Sequence, residues 1–114
     1  MLAVVHSHTN GNPAPSAADM RGQIDTAVPW GLVVTDGTRC SDPWWWGDGL
    51  DPPPLIGRPF RHGPSGTDGK GDCYALVRDW WWIERGVRLP ECPRDDGWWL
   101  HGEDLYRRGF AAAG

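Results

Sequence analysis

The sequence predicts an α+β fold made of two partial modules joined by a proline-rich linker, and three observations predict it. Apolar runs at residues 2–5 and 30–35 flank a helix-forming segment, so residues 1–50 are expected to contain a β-α-β unit. Three consecutive prolines lie within residues 51–57, which we interpret as the linker. Helical patterns dominate residues 58–114, which form the second module.

The first module is expected to run from strand to loop, helix and strand. Its first strand should end at His6, and Ser16 should cap a helix that runs to about Thr26. The second strand should span residues 30–35, before an Asp-Gly turn. Residues 41–59 are interpreted as linker, although the tryptophans at 44–46 should pack on a flanking module.

The second module is expected to be helical. Asp72 should cap a helix that begins at Cys73 and stops at Gly86, and a further helix is predicted over residues 102–110. The apolar residues of the first of these helices fall on one stripe, namely Leu76, Trp80, Ile83 and Val87. Since three adjacent helical positions splay over about 200°, at least one of Trp80, Trp81 and Trp82 should be exposed.

Composition excludes several classes of protein. The chain has 114 residues and a net charge of −4, which argues against nucleic-acid and anionic-membrane partners. No apolar run approaches the roughly 20 residues of a membrane helix, and the first residues lack the pattern of a signal peptide. Three widely spaced cysteines predict reduced thiols in a cytoplasm. With nine tryptophans and few aliphatic residues, Trp is expected to form the core.

One candidate site combines His6, His8 and Asp19. On a strand, His6 and His8 leave the same face, and Asp19 lies in the first turn of the predicted helix. Two imidazoles and a carboxylate are a ligand set for catalytic zinc, and Ser16 could donate a hydrogen bond to an oxyanion nearby. The alternative is a surface histidine pair, with Ser16 and Asp19 only capping the helix.

The spacing His6-x-His8-x10-Asp19, with Pro15-Ser16 inside it, resembles the metal motif of the JAMM (MPN-plus) metallopeptidases. The resemblance implies zinc bound by His6, His8 and Asp19, with Ser16 assisting the oxyanion. That family also uses a glutamate on an earlier strand as general base, and no glutamate precedes His6 here.

A second candidate site is Cys73, which follows a glycine-rich loop and opens a helix, where a thiolate is stabilised. The alternative is a small cysteine packed under the helix. Residues 57–63 and 72–79 resemble the NlpC-type, papain-like cysteine peptidases, which implies that Cys73 is a nucleophile. The catalytic histidine of that family follows the cysteine helix. His101, the only later histidine, reads as a packing residue, and His62 precedes the cysteine.

The order of the two modules resembles that of phage tail-tip assembly proteins. This resemblance implies zinc-dependent peptide or isopeptide hydrolysis in one module, and cleavage of peptidoglycan stem peptides or tail proteins in the other. It also implies other tail-tip proteins as partners, in the host cytoplasm during assembly and at the virion tail tip. Because each centre lacks a partner residue, we expect a truncated form that does not hydrolyse these bonds detectably. The alternatives are a non-catalytic assembly remnant and a Trp-rich module that binds the cell wall.

Overall fold

The structure, a computed structural model, describes residues 2–94. Its elements in chain order are β1 (Val4–His8), α1 (Ala17–Thr26), β2 (Trp30–Val34), β3 (Trp44–Trp46) and α2 (Cys73–Arg85). This part of the chain is therefore a mixture of helix and sheet. The helix predicted over residues 102–110 lies outside the described residues, and so does His101.

The sheet has the order β1-β2-β3, and the predicted β-α-β unit forms its first half. Strands β1 and β2 are parallel, with Val4 opposite Trp30 and His8 opposite Val34, and α1 makes the crossover between them. Strand β3 returns antiparallel to β2, with Trp46 opposite Trp30.

The predicted end of the first strand is wrong, and so is the extent of the predicted linker. Strand β1 does not end at His6 but continues to His8, because the backbone N–H of Thr35 donates to the His8 oxygen across 3.0 Å and extends the pairing. Residues 41–59 are not all linker, since Trp44–Trp46 form β3. The boundary at residues 51–57 stays a prediction.

Tryptophan forms the core, as predicted from composition. Leu32, Trp44 and Trp46 are buried together between the strands, and Trp30 packs against them. The rings of Trp44 and Trp46, two residues apart on the same face of β3, lie 5.0 Å apart between centroids, so one short strand supplies much of the apolar area that aliphatic residues supply in other small domains.

The loop before α2 packs on β3 through polar contacts. The Arg61 guanidinium stacks on the Trp44 ring at 3.6 Å from its centroid and pairs with Asp68 over 3.1 Å. The backbone N–H of Thr67 donates to the Trp45 oxygen across 2.8 Å, which closes the outer edge of β3. The loop and the sheet therefore form one packed unit.

Helix α2 has the predicted ends but not the predicted buried side. Asp72 caps its start, and Gly86 ends it with a φ of 65°. The buried residues of α2 are Ala75 and Asp79, whereas the apolar stripe at residues 76, 80, 83 and 87 is exposed. The reason is an ion pair, because the Asp79 carboxylate faces inwards to meet Arg58 over 2.8 Å. All three of the tryptophans at 80–82 are exposed, so the prediction of at least one is confirmed.

Neither helix of residues 2–94 is long and apolar enough to cross a membrane.

Candidate metal centre and cysteine site

Strand β1 and helix α1 bring the three predicted metal ligands together. One ligand atom each from His6, His8 and Asp19 lies within 4.8 Å of the others. The Nε2 atoms of His6 and His8 are 3.3 Å apart. The Asp19 Oδ1 lies 3.0 Å from His6 Nε2, and its Oδ2 lies 2.9 Å from His8 Nε2. The structure thus brings these three residues together, and their role as metal ligands stays a prediction.

The first turn of α1 fixes the carboxylate of Asp19. The backbone N–H of Ser16 donates to Asp19 Oδ2 across 2.9 Å, and the Ser16 hydroxyl oxygen accepts from the Asp19 N–H across 3.1 Å. This reciprocal pair is a capping box. Burial opposes ionisation of Asp19, but hydrogen bonds from Ser16, and from the His8 ring when its Nε2 is protonated, outweigh burial, so the pKa of Asp19 lies below its usual value. Asp19 is therefore ionised at neutral pH.

The His8 ring is oriented by the loop that follows β1. Its Nδ1 lies 3.0 Å from the backbone oxygen of Asn12, and because a carbonyl oxygen only accepts, Nδ1 must carry the proton. In the neutral ring, Nε2 then presents a lone pair to the carboxylate of Asp19. Two acceptors at 2.9 Å repel each other unless a proton or a cation lies between them.

The His6 ring is held by packing. Its centroid lies 5.6 Å from that of Trp30 in an edge-to-face arrangement. Its Nδ1 is buried and has no hydrogen-bond partner within residues 2–94. Its Nε2, by contrast, contacts both His8 and Asp19, so this is the nitrogen through which His6 joins the cluster of His6, His8 and Asp19.

These residues fit a zinc ion. Zinc bonds of about 2.0–2.1 Å in tetrahedral geometry place neighbouring ligand atoms roughly 3.3–3.4 Å apart. The separation between Nε2 of His6 and Nε2 of His8, 3.3 Å, lies in that range, and each imidazole has a different oxygen of the Asp19 carboxylate 3.0 or 2.9 Å away. The donor set of two imidazoles and one carboxylate leaves the fourth position of such a tetrahedron open, as in catalytic sites.

Ser16 lies beside the cluster as the cap of α1. Its hydroxyl oxygen accepts from Asp19, and a hydroxyl that accepts one bond can still donate its own hydrogen. Capping and donation are therefore compatible. The catalytic role predicted for Ser16 stays a prediction.

Cys73 is exposed as the first residue of α2. Before it, the Asp72 carboxylate accepts from the N–H groups of Ala75 at 2.8 Å and Gly63 at 3.1 Å. Arg94 binds the same carboxylate through two nitrogens, and its Nη2 lies 2.8 Å from Asp72 Oδ1. The start of α2 is thus held both by Gly63, which precedes the helix, and by Arg94, which follows it.

The other two cysteines and His62 lie in different surroundings from Cys73. Burial raises the pKa of the Cys92 thiol, whereas Cys40 is exposed in the turn after β2. The His62 ring packs edge-on to Phe60, with centroids 4.9 Å apart. The base for Cys73 stays a prediction.

Sequence reasoning missed the residues that support both sites. The Asn12 carbonyl and the Trp30 ring orient the two histidines, while Arg61 and Arg94 anchor the loop and the helix start. A main-chain carbonyl leaves no signal in residue type. Arg94 and Arg58 had one signal, because their partners Asp72 and Asp79 lie seven apart, at the cap and within the predicted helix, and require counter-charges if buried.

Comparison with known proteins identifies the relatives of the chain. It is 37% identical over 118 residues to tail tip assembly protein K of Escherichia phage lambda, and the match covers all of this chain and 50% of that protein. It is 31% identical over 116 residues to tail tip assembly protein K of Escherichia phage N15, covering 96% of this chain and 40% of that protein. The chain is homologous to tail tip assembly protein K. It spans half or less of the length of these two K proteins.

The homology to protein K confirms the predicted resemblance to phage tail-tip assembly proteins. No protein-family model matches the chain. No solved structure matches it either.

Proposed function

We propose that this chain acts in phage tail-tip assembly, and that its first fifty residues hold one zinc ion in a JAMM-type peptidase centre. The homology to protein K supports the assembly role. The single observation that carries the zinc proposal is the convergence of His6, His8 and Asp19, with one ligand atom of each within 4.8 Å of the others and the two Nε2 atoms 3.3 Å apart.

Each residue of the cluster has a part in this proposal. Nε2 of His6, Nε2 of His8 and a carboxylate oxygen of Asp19 hold the metal, while the Asn12 carbonyl keeps His8 in the tautomer that binds metal. The Ser16 hydroxyl donates to the oxyanion of a peptide or isopeptide under attack. Bound zinc supplies a Lewis acid and lowers the pKa of water.

The second half of the chain contributes a cysteine peptidase of NlpC type, with Cys73 as the nucleophile. An exposed thiol at a helix start is accessible to a substrate and lies at the positive end of the helix dipole. The substrates proposed are peptidoglycan stem peptides or tail proteins, and the partners are other tail-tip proteins. The chain would act in the host cytoplasm during assembly and at the tail tip of the virion.

Zinc binding is tested by calorimetric titration of the metal-free chain. We expect one zinc per chain, and a loss of affinity of more than about a hundredfold in His8→Ala and in Asp19→Asn. His62→Gln is the matched control, because it removes a histidine outside the cluster and should bind zinc unchanged. Absence of zinc binding, or equal binding in His8→Ala, contradicts the zinc proposal.

Hydrolysis is tested separately on purified peptidoglycan and on an isopeptide-linked protein pair. Activity that disappears in His8→Ala belongs to the first module, and activity that disappears in Cys73→Ala belongs to the second. Activity that is unchanged in both variants excludes both centres as its source.

A second candidate function is favoured by the exposed tryptophans of α2. Trp80, Trp81 and Trp82 are each 38–39% exposed, and aromatic faces suit the stacking of sugar rings and peptide stems. A cell-wall binding role predicts that soluble peptidoglycan fragments quench tryptophan fluorescence, and that Trp81→Ala reduces this quenching. An unchanged signal in the parent chain contradicts this role.

A further inference from the structure

The loop between β1 and α1 contains the two asparagines of the chain, Asn10 and Asn12, and they differ in the residue that follows. Glycine follows Asn10, whereas proline follows Asn12. The backbone nitrogen of the next residue can attack an asparagine side chain, and glycine favours this attack because it has no Cβ to crowd it. Proline has no N–H, so Asn12 cannot react in this way. Asn10 is therefore the one asparagine of the chain that can cyclise with its neighbour.

The loop holds the Asn10 side chain in a position that suits this attack. The backbone N–H of Asn12 donates to Asn10 Oδ1 across 3.0 Å. A side-chain oxygen that accepts from the residue two positions on lies over the intervening peptide. That peptide carries the Gly11 nitrogen, so the nucleophile and the amide carbon are brought together.

The same N–H group also favours the intermediate of the reaction. Attack on Asn10 Cγ makes this carbon tetrahedral and moves negative charge onto Oδ1. A backbone N–H that is already directed at the oxygen stabilises such a charge as it develops, as in the oxyanion sites of enzymes. The Asn12 N–H, 3.0 Å from Oδ1, occupies this position.

We propose that Asn10 is a site of spontaneous deamidation, and that this modification alters the loop that orients His8. The Gly11 nitrogen loses its proton to solvent and bonds to Asn10 Cγ, while the bond from Cγ to Nδ2 breaks and ammonia leaves. Water then opens the five-membered imide. Opening at the main-chain carbonyl gives isoaspartate, and opening at Cγ gives aspartate. Each route takes up one water and releases one ammonia.

The isoaspartate product changes the path of the backbone between β1 and α1. The chain then passes through Cβ and Cγ of residue 10, so the main chain gains one atom and the oxygen that accepted from Asn12 becomes part of it. The main-chain oxygen of Asn12 accepts from His8 Nδ1 across 3.0 Å, and its side chain accepts from the Ala14 N–H across 3.0 Å. A displaced Asn12 peptide weakens the contact with His8. The consequence for zinc rests on the proposed function, whereas the modification itself does not.

The first test measures deamidation of the full chain by mass spectrometry after incubation in mildly alkaline buffer. Cleavage at Arg21 releases residues 1–21, which contain both asparagines and no Asp-Gly pair. This fragment should gain about one dalton at residue 10, while Asn12 is the internal control. Asn10→Ser keeps a side-chain oxygen for the Asn12 N–H and should show no gain. Gly11 is left unchanged, because its φ of 78° favours glycine.

The contribution of the fold is measured against a synthetic peptide of residues 5–16. Because the Asn12 N–H contact promotes the attack, the full chain should react at least as fast as the peptide. A clearly slower reaction in the full chain, or a mass gain at Asn12, overturns the proposal.

The second test follows the His8 ring in the purified isoaspartate form. The NMR signals of its two ring nitrogens report the proton on Nδ1 and need no metal. They should shift in the isoaspartate form and stay in place in Asn10→Asp, which carries the same charge on an unaltered backbone. Unchanged signals in the isoaspartate form overturn the link between Asn10 and His8.

Zinc affinity separates this inference from the proposed function. A parent chain that binds zinc should bind it about tenfold more weakly in the isoaspartate form and normally as Asn10→Asp. A parent chain that binds no zinc contradicts the proposed function alone, because the mass gain and the His8 signals are measured without metal. Equal zinc affinity in the parent and isoaspartate forms overturns the link to the cluster.

Discussion

Replacement of Arg94 by alanine should be among the most destabilising single changes in the described part of the chain. Arg94 and Asp72 are both buried, with exposed fractions of 6% and 9%. The guanidinium binds both oxygens of Asp72, and it also pairs with Glu91. Burial lowers the pKa of Arg94, but the two carboxylates raise it above its ordinary value, so the guanidinium stays charged. Its removal leaves the Asp72 carboxylate without its paired counter-charge and leaves Glu91 with Arg78, 3.6 Å away.

Breaking a buried pair by removing one partner costs about 3–5 kcal/mol, because an uncompensated charge remains inside. Small proteins have a total stability of about 5–15 kcal/mol, so the loss should be evident as a large shift of the unfolding midpoint. The measurement is urea unfolding followed by tryptophan fluorescence, in reducing buffer. Arg88→Ala is the control, since this arginine is exposed over the Trp82 ring and should change stability by less than about 1 kcal/mol.

A double-mutant cycle separates the charge pair from simple packing. Asp72→Ser keeps a side-chain oxygen for the Ala75 N–H but removes the charge. In that background, Arg94→Ala should cost about 2 kcal/mol less than in the parent. An equal cost in both backgrounds would refute the reasoning, because it would show that Arg94 acts by filling space.

Three other predictions concern single residues. Iodoacetamide should label Cys73 first among the three thiols and Cys92 late, because burial raises the pKa of Cys92; mass spectrometry shows the order, and earlier labelling of another cysteine contradicts it. Gly66→Ala should cost at least about 2 kcal/mol in urea unfolding, since its Cβ would lie 2.4 Å from a backbone oxygen of β3, whereas Gly49→Ala meets open space and should cost only about 1 kcal/mol of backbone strain. Because the pKa of Asp19 is lowered, its ionised carboxylate stabilises the fold. This stabilisation is complete above about pH 4 and is lost as the pH falls through the pKa of the folded protein, so the stability of Asp19→Asn should fall less steeply with acid than that of the parent chain. Equal slopes in both proteins contradict this prediction.

The elements that the sequence predicts well are those with local signals. Ser16 and Asp72 are helix caps whose positions are set by their own side chains, and both helices begin where these caps predict. The apolar run at β2 likewise forms the predicted strand, since its residues suit a buried strand between two neighbours.

The structural features that the sequence does not predict depend on residues far away in the chain. Strand β3 consists of three identical residues, so no alternation of polar and apolar side chains marks it as a strand. The buried side of α2 was predicted from hydrophobicity, but Asp79 turns inwards because Arg58, far away in sequence, neutralises it. The sequence pointed to the cluster of His6, His8 and Asp19 because these residues lie in one short stretch, whereas the Trp30 contact with His6 requires the parallel pairing of β1 and β2.

The capping box of α1 makes folding and site assembly the same event. Asp19 cannot close the first helical turn without presenting its carboxylate to His6 and His8. The three residues of the cluster, the cap and the carbonyl that orients His8 all lie within residues 6–19, so the cluster occupies one short stretch of the sequence. Residues that lie so close together in sequence can be inherited together on one short stretch of the gene. Recombination that exchanges the rest of the gene, or a graft onto another strand-and-helix scaffold, would carry His6, His8 and Asp19 together, whereas the Trp30 contact with His6 would have to be supplied again.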